Sequence, residues 1–229
     1  PRLFFGIAPG CMDSMVNKYT ANRRLRSEDA YSPDGRHDMR PEYPTIVYSR
    51  ILKELYPDVP VVLGGIEASL RRVTHYDYWK ERLMPCILAD SGADLIIYGM
   101  GELPLVDLCK TIDQHLLHGR EESFCSAEQF NSLMRKYPVR QTVTLQQKED
   151  IFGGIKEDDI QLHSHEDCLV NKRHYAENFR HIEEESNRLH PQRILQQLGN
   201  KYVVVNPPYP PMTTEQIDRS FDFPYTRLP

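Results

Sequence analysis

Two short apolar runs, each ended by glycine, constrain this chain more than any other feature. The first is Val59-Pro60-Val61-Val62-Leu63, which runs into Gly64-Gly65-Ile66-Glu67-Ala68-Ser69. The second is Ala93-Asp94-Leu95-Ile96-Ile97-Tyr98, which runs into Gly99-Met100-Gly101-Glu102. Runs this short and apolar suit strands covered on both faces, as in a parallel sheet. A helical pattern comes after each turn. In open α/β sheets, ligands sit outside the carboxyl ends of the strands. The two turns therefore mark a candidate ligand crevice, with Gly64, Gly65, Glu67, Ser69, Gly99, Gly101 and Glu102 as its residues.

The rest of the chain extends this alternation. Leu3 to Gly6 reads as an earlier strand. Residues 11–43 are polar and carry Arg23, Arg24, Arg26, Arg36 and Arg40; a loop of that length in a compact domain is functional or disordered. Pro44 opens a helix with Ile46, Val47, Ile51, Leu52 and Leu55 near one face, and Pro57 closes it. A second helix starts at Pro104 and carries Leu105, Leu108, Ile112 and Leu116. The pattern predicts an α/β, Rossmann-like domain over residues 1–118, with a mostly parallel sheet and flanking helices. Residues 119–205 are more polar and predict a helical and irregular extension. It holds a strand near 141–145, a long helix over 172–198 and a returning strand at 202–205. Residues 206–229 read as a proline-rich linker.

Bulk properties exclude some classes. The net charge of −5 gives no basic field for non-specific nucleic-acid binding. No apolar run approaches the ~18 residues of a membrane span. The five cysteines are widely spaced and odd in number, which predicts a reducing, cytoplasmic setting and no disulfide framework. None lies in a CxxC pattern. The chain opens at Pro1 and enters a strand almost at once, so it reads as a piece of a longer protein.

Each motif has a chemical and a plain reading. Gly64-Gly65 presents N–H groups to an anion, or only makes a tight turn. Neither GxGxxG nor a P-loop lysine accompanies it, so nucleotide fingerprints are lacking. Glu67 and Glu102 either stabilise helix N-termini through the dipole or face the crevice. Arg71, Arg72, His75, Tyr76 and Trp79 mix cations with rings. That mixture suits phosphate or base contact, and still better a domain interface. Asn206-Pro207-Pro208-Tyr209 is similar to the motif with which amino-group methyltransferases hold a flipped base, and also fits a strand end followed by a linker. His163, His165, Glu166, Asp167 and Cys168 are the densest set of metal-type side chains, in what reads as a surface loop.

Longer strings carry a family resemblance. They are Leu3–Asn17, Val61–Arg72, Thr74–Trp79, Asp94–Glu102, Asn206–Pro208 and Asp222–Arg227. Together they resemble YgiQ-type radical SAM proteins, a bacterial family without a settled substrate, over nearly the whole chain. The resemblance implies a region that precedes a catalytic partial (β/α) barrel. In that barrel a CxxxCxxC motif holds a [4Fe–4S] cluster, which reduces S-adenosylmethionine to a 5′-deoxyadenosyl radical. This chain has no such motif, so the cluster and S-adenosylmethionine belong to the full-length protein and no cofactor is expected in this part. The two turns are also similar to those of cobalamin-binding domains. The DxHxxG motif that supplies histidine to cobalt is missing, which argues against histidine-ligated cobalamin. The expected role is thus an accessory, substrate-positioning domain that is not catalytic alone, with the downstream barrel as its partner. Alternatives are an amino-group methyltransferase using Asn206-Pro207-Pro208-Tyr209, and a pure interaction domain that pairs with a partner or with itself.

Overall fold

The computed structural model describes residues 3–118 and 125–226. The boundary expected at residue 119, the first residue Pro1 and the tail Arg227–Pro229 lie outside the described residues. In chain order the first half comprises β1 (Phe5–Ile7), α1 (Ser14–Lys18), α2 (Pro44–Leu55), β2 (Val61–Leu63) and α3 (Gly65–Leu70). It continues with β3 (His75–Asp77), β4 (Arg82–Met84), α4 (Ile87–Ser91), β5 (Leu95–Ile97) and α5 (Glu102–Ile112). The second half holds α6 (Ala127–Lys136), β6 (Thr142–Gln147), β7 (Ile160–Leu162), α7 (His165–Val170) and α8 (Lys172–Ser186). It closes with β8 (Ile194–Leu198), β9 (Lys201–Val205) and α9 (Thr214–Phe221).

Seven strands form one sheet in the order β1-β2-β5-β6-β9-β8-β7. The first three are parallel, with Phe5 opposite Val61 and Val62 opposite Leu95. Every residue of β2 and β5 is buried, as the apolar runs predict. Successive side chains point to opposite faces. Val61, Leu63 and Ile96 pack with Ile87 and Leu88 of α4 on one face. Val62, Leu95 and Ile97 pack with Leu108, Ile112 and Phe130 on the other. The structure is therefore α/β with helices on both faces of the sheet.

Polarity changes after β5. Strand β6 joins it antiparallel, through Ile96 opposite Val143 and Ile97 opposite Thr142 only. Strands β6, β9 and β8 then form an antiparallel run, and β7 pairs parallel with β8. The sheet is thus mixed, with parallel pairing concentrated among its first three strands.

Two local expectations are corrected. The helix expected over 172–198 stops at Ser186, and residues 194–198 form β8. Pro191 cannot donate a helical hydrogen bond. Gly199-Asn200 then makes a two-residue hairpin turn, with Gly199 at φ +58°. Residues 66–90, expected to hold a short helix and a turn, also hold the β3–β4 hairpin.

The long polar segment 11–43 has a definite structure built on one carboxylate. Asp29 is buried and accepts from the Asn17 amide at 2.8 Å, the Tyr31 N–H at 2.9 Å and the Ser32 hydroxyl at 3.0 Å. Arg40 completes the shell at 3.1 Å. Burial would raise the Asp29 pKa, but these hydrogen bonds bring it down to about 2.

Candidate functional site

The turns after β2 and β5 lie side by side because the two strands are adjacent and parallel. Ser69 joins them: its hydroxyl donates to the Gly65 carbonyl at 2.8 Å and accepts from the Gly99 N–H at 3.1 Å. Both glycines have a left-handed backbone, φ +82° at Gly65 and φ +67° at Gly99. The structure thus brings Gly64, Gly65, Ser69, Gly99 and Gly101 to one end of the sheet.

The two glutamates differ. Glu67 is 1% exposed. One carboxylate oxygen accepts from the Ser14 N–H at 3.2 Å, the other from the Thr45 N–H at 3.3 Å. Those N–H groups open α1 and α2, so one carboxylate satisfies two helix N-termini at once. The Gly65 backbone lies beneath the loop after β1, and a Cβ there would stand 3.5 Å from the Gly10 carbonyl. The first turn is therefore filled by the chain itself. Glu102, at the start of α5, is half-buried, and its Oε2 is buried without a hydrogen-bond partner. Next to it, Met100 is 67% exposed.

The five cation and ring residues point three ways. Arg71 is buried and forms an ion pair with Asp13, the N-cap of α1. Its guanidinium also lies 5.5 Å from the centre of the Tyr43 ring. His75 packs inside the same region, where burial pushes its pKa down to about 4 while the Val73 carbonyl holds Nδ1. Trp79 stacks edge-on with Tyr78 and meets Tyr19 of the 11–43 segment. Arg71 and Trp79 thereby hold that segment through Asp13 and Tyr19. Tyr76 is half exposed and its N–H donates to the Tyr175 hydroxyl on α8. Arg72 turns toward the strand ends: it donates to the Ser69 carbonyl at 2.7 Å and lies over the Tyr98 ring at 5.2 Å. Burial lowers the Arg72 pKa, and no ion pair engages it among the described residues.

Gln141 is a functional neighbour that sequence reasoning missed. Its backbone is left-handed, φ +61°, and its side chain is buried. The amide donates to the Tyr98 carbonyl at 2.8 Å and to the Met100 carbonyl, while its oxygen accepts from the Tyr209 N–H at 3.2 Å. It thereby ties the second turn to Asn206-Pro207-Pro208-Tyr209. In that motif the Asn206 amide donates to the Thr142 hydroxyl at 3.0 Å, and the Tyr209 hydroxyl donates to Asp107. Both groups are committed to the scaffold. No sequence signal marks Gln141, whereas Asp13 before an apolar pair is a recognisable N-cap.

What remains open at the strand ends is apolar. Ile66 and Leu70 lie four apart on α3, 47% and 60% exposed, and Met12 and Met100, which follow β1 and β5, are 44% and 67% exposed. His163, His165, Glu166, Asp167 and Cys168 do not converge. Asp167 caps α7, Cys168 is buried, and His165 meets Thr74. Among the described residues no group of three His, Cys, Asp or Glu side chains gathers as a metal site. No helix among them is long and apolar enough to cross a membrane.

Comparison with known proteins places the chain in a family. The family model "Radical SAM N-terminal" matches residues 1–229. A UPF0313 protein of Bacteroides thetaiotaomicron is 60% identical over 229 residues, covering all of this chain and 36% of the relative. One from Porphyromonas gingivalis is 61% identical and covered over 34% of its length. A third, from Geobacter sulfurreducens, is 38% identical and covered over 35%. No solved structure matches the chain. The chain belongs to the radical SAM N-terminal family and spans about a third of the length of the curated relatives it matches.

Proposed function

We propose that this member of the radical SAM N-terminal family is an accessory module whose strand-end face seats the catalytic part of the longer polypeptide and helps position its substrate. The exposed apolar set Met12, Ile66, Leu70 and Met100 carries the proposal. Four large apolar side chains at the end of a sheet suit a protein interface better than a small-molecule crevice. Arg72 and Glu102 supply the polar part of that face. The half-buried Arg72 guanidinium has no ion pair among the described residues and feels only the more distant Glu183 charge, and an acidic or phosphate group arriving from outside supplies a direct partner. Asn206–Tyr209, bound to the second turn through Gln141, leads the chain away from the same end. The [4Fe–4S] cluster and S-adenosylmethionine, which supply radical chemistry in this family, belong to the downstream part. Among the described residues the cysteines do not gather to hold a cluster, and no step is assigned to them.

The test is photo-crosslinking in the polypeptide at its relatives' full length. A benzophenone amino acid replaces Met100, and the crosslinked peptides are identified by mass spectrometry. The proposal expects intramolecular crosslinks to residues beyond 229. Crosslinks only within this chain, or only to a second copy, contradict it.

A further inference from the structure

The opposite end of β5 is open. Strand β6 runs on to Gln147 beside β9, but it pairs with β5 at only two positions. β5 begins only at Leu95, so past Val143 β6 outruns it, and among the described residues that edge of β6 faces no strand. The gap widens into a cleft of about 550 Å³ between α4, α6 and the β8–β9 hairpin. That volume falls in the range of ~300–1,000 Å³ found for small-molecule sites.

The chemistry of the walls is specific. Leu88, Ala93, Leu145 and Leu198 supply the apolar surface. Asn131 and Arg135 lie four apart on α6 and line one side. Lys201 lines the other, and among the described residues no ion pair engages it. Arg135 has only a loose partner, Asp150 at 3.7 Å. The acid in the wall, Asp94, is already neutralised: Lys53 lies at 2.5 Å, and the Val61 N–H and the Asn131 amide each donate to it at 2.8 Å. The uncommitted charge of the cleft is therefore positive. Gln146 is 8% exposed; its nitrogen donates to the Thr144 hydroxyl and its Oε1 has no partner. A buried acceptor without a donor is costly to leave unmade.

We infer that this cleft binds a small organic anion whose carboxylate or phosphate lies between Arg135 and Lys201 and whose hydroxyl or amine donates to Gln146. The site is separate from the strand-end face, because it opens at the amino end of β5. It does not depend on the proposed docking.

The inference is tested by ¹⁵N–¹H NMR titration of the 229-residue chain with ribose 5-phosphate, gluconate, ribose and inorganic phosphate. Ribose 5-phosphate or gluconate is expected to shift the Ala93, Asn131, Gln146 and Leu198 amides saturably, and whichever binds identifies the anion as phosphate or carboxylate. Ribose and inorganic phosphate are expected to bind at least about tenfold more weakly, since each lacks one of the two contacts. The double variant R135Q/K201Q, altered only at solvent-accessible side chains, should weaken binding by about tenfold or more while the spectrum stays folded. No saturable shift from either organic anion overturns the inference. So does equal binding by the double variant, or inorganic phosphate binding as tightly as the sugar phosphate.

Discussion

The turns after β2 and β5 are near-equivalents in sequence, each an apolar strand leading into glycine and a glutamate. In the structure they do different work. Glu67 is sealed between the first turns of α1 and α2 and satisfied by both. Glu102 has a buried oxygen without a partner, beside an exposed methionine. The difference arises in the segment after β1. Residues 11–43 fold back over the first turn, held by the Asp13–Arg71 pair, whereas the second turn meets the Gln141 side chain and leaves Glu102 Oε2 without a partner. A strand-end glycine turn thus marks a place where backbone meets something closely. Whether that something is the chain's own loop or an outside group depends on a segment far away in sequence.

The largest expected effect tests the cover of the first turn. Asp13→Ala leaves Arg71 buried without its partner and removes the cap of α1, so it should cost about 3–5 kcal/mol in chemical denaturation. It should also open residues 11–43 to protease. A loss below about 1 kcal/mol would mean that the pair does not hold the segment.

Glu67→Ala should cost about 3 kcal/mol, because two helix N-termini lose a charged acceptor. Glu102→Ala should change the stability of this chain by no more than about 0.5 kcal/mol. Equal losses at the two glutamates would erase the distinction between the turns.

Titration sharpens the same contrast. His75 is held neutral by burial, with its folded pKa down at about 4 against the ordinary 6.5. The unfolded chain therefore takes up the proton first, and stability should fall as pH drops from about 6.5 to about 4 and level off below that. The variant His75→Gln should lose that part of the slope. A wild-type curve flat over this window would show that His75 is solvated and the region beneath the 11–43 segment is loose.

A further pair of variants separates backbone from side chain. Gly65→Ala and Gly99→Ala both place a Cβ on a left-handed residue, so each should cost about 1–2 kcal/mol. Similar losses here, set against unequal losses at the glutamates, would locate the difference between the turns in their carboxylates.

The legibility of the fold tracks the range of its interactions. Strands β2 and β5 are readable because burial on both faces writes an uninterrupted apolar run. Helix α2 is readable from its period and its flanking prolines. The β8 strand is marked too, since Gly199-Asn200 between Leu198 and Lys201 is a hairpin signal, but the helical spacing of Tyr175, Phe179 and Ile182 upstream masks it. The antiparallel entry of β6 leaves no local mark, because strand polarity is set by which partner a strand reaches. The glycines of the two turns are legible in the sequence, but the directions of the side chains around them are not. Arg71 and Arg72 are neighbours, yet one is sealed against Asp13 and the other lies over Tyr98. The partner of Arg71 is 58 residues away along the chain, and no period or spacing reports it.

The central claim is that the strand-end face, with Glu102 on it and Glu67 sealed beneath it, meets another part of the polypeptide. Amide hydrogen exchange tests it most directly, comparing this chain with the polypeptide at its relatives' full length. The account predicts that amides at 66–70 and 99–102 become more protected in the longer protein, while those of Ser14 and Thr45 beside Glu67 exchange alike in both. Unchanged exchange at 99–102, with new protection elsewhere on the domain, would contradict it.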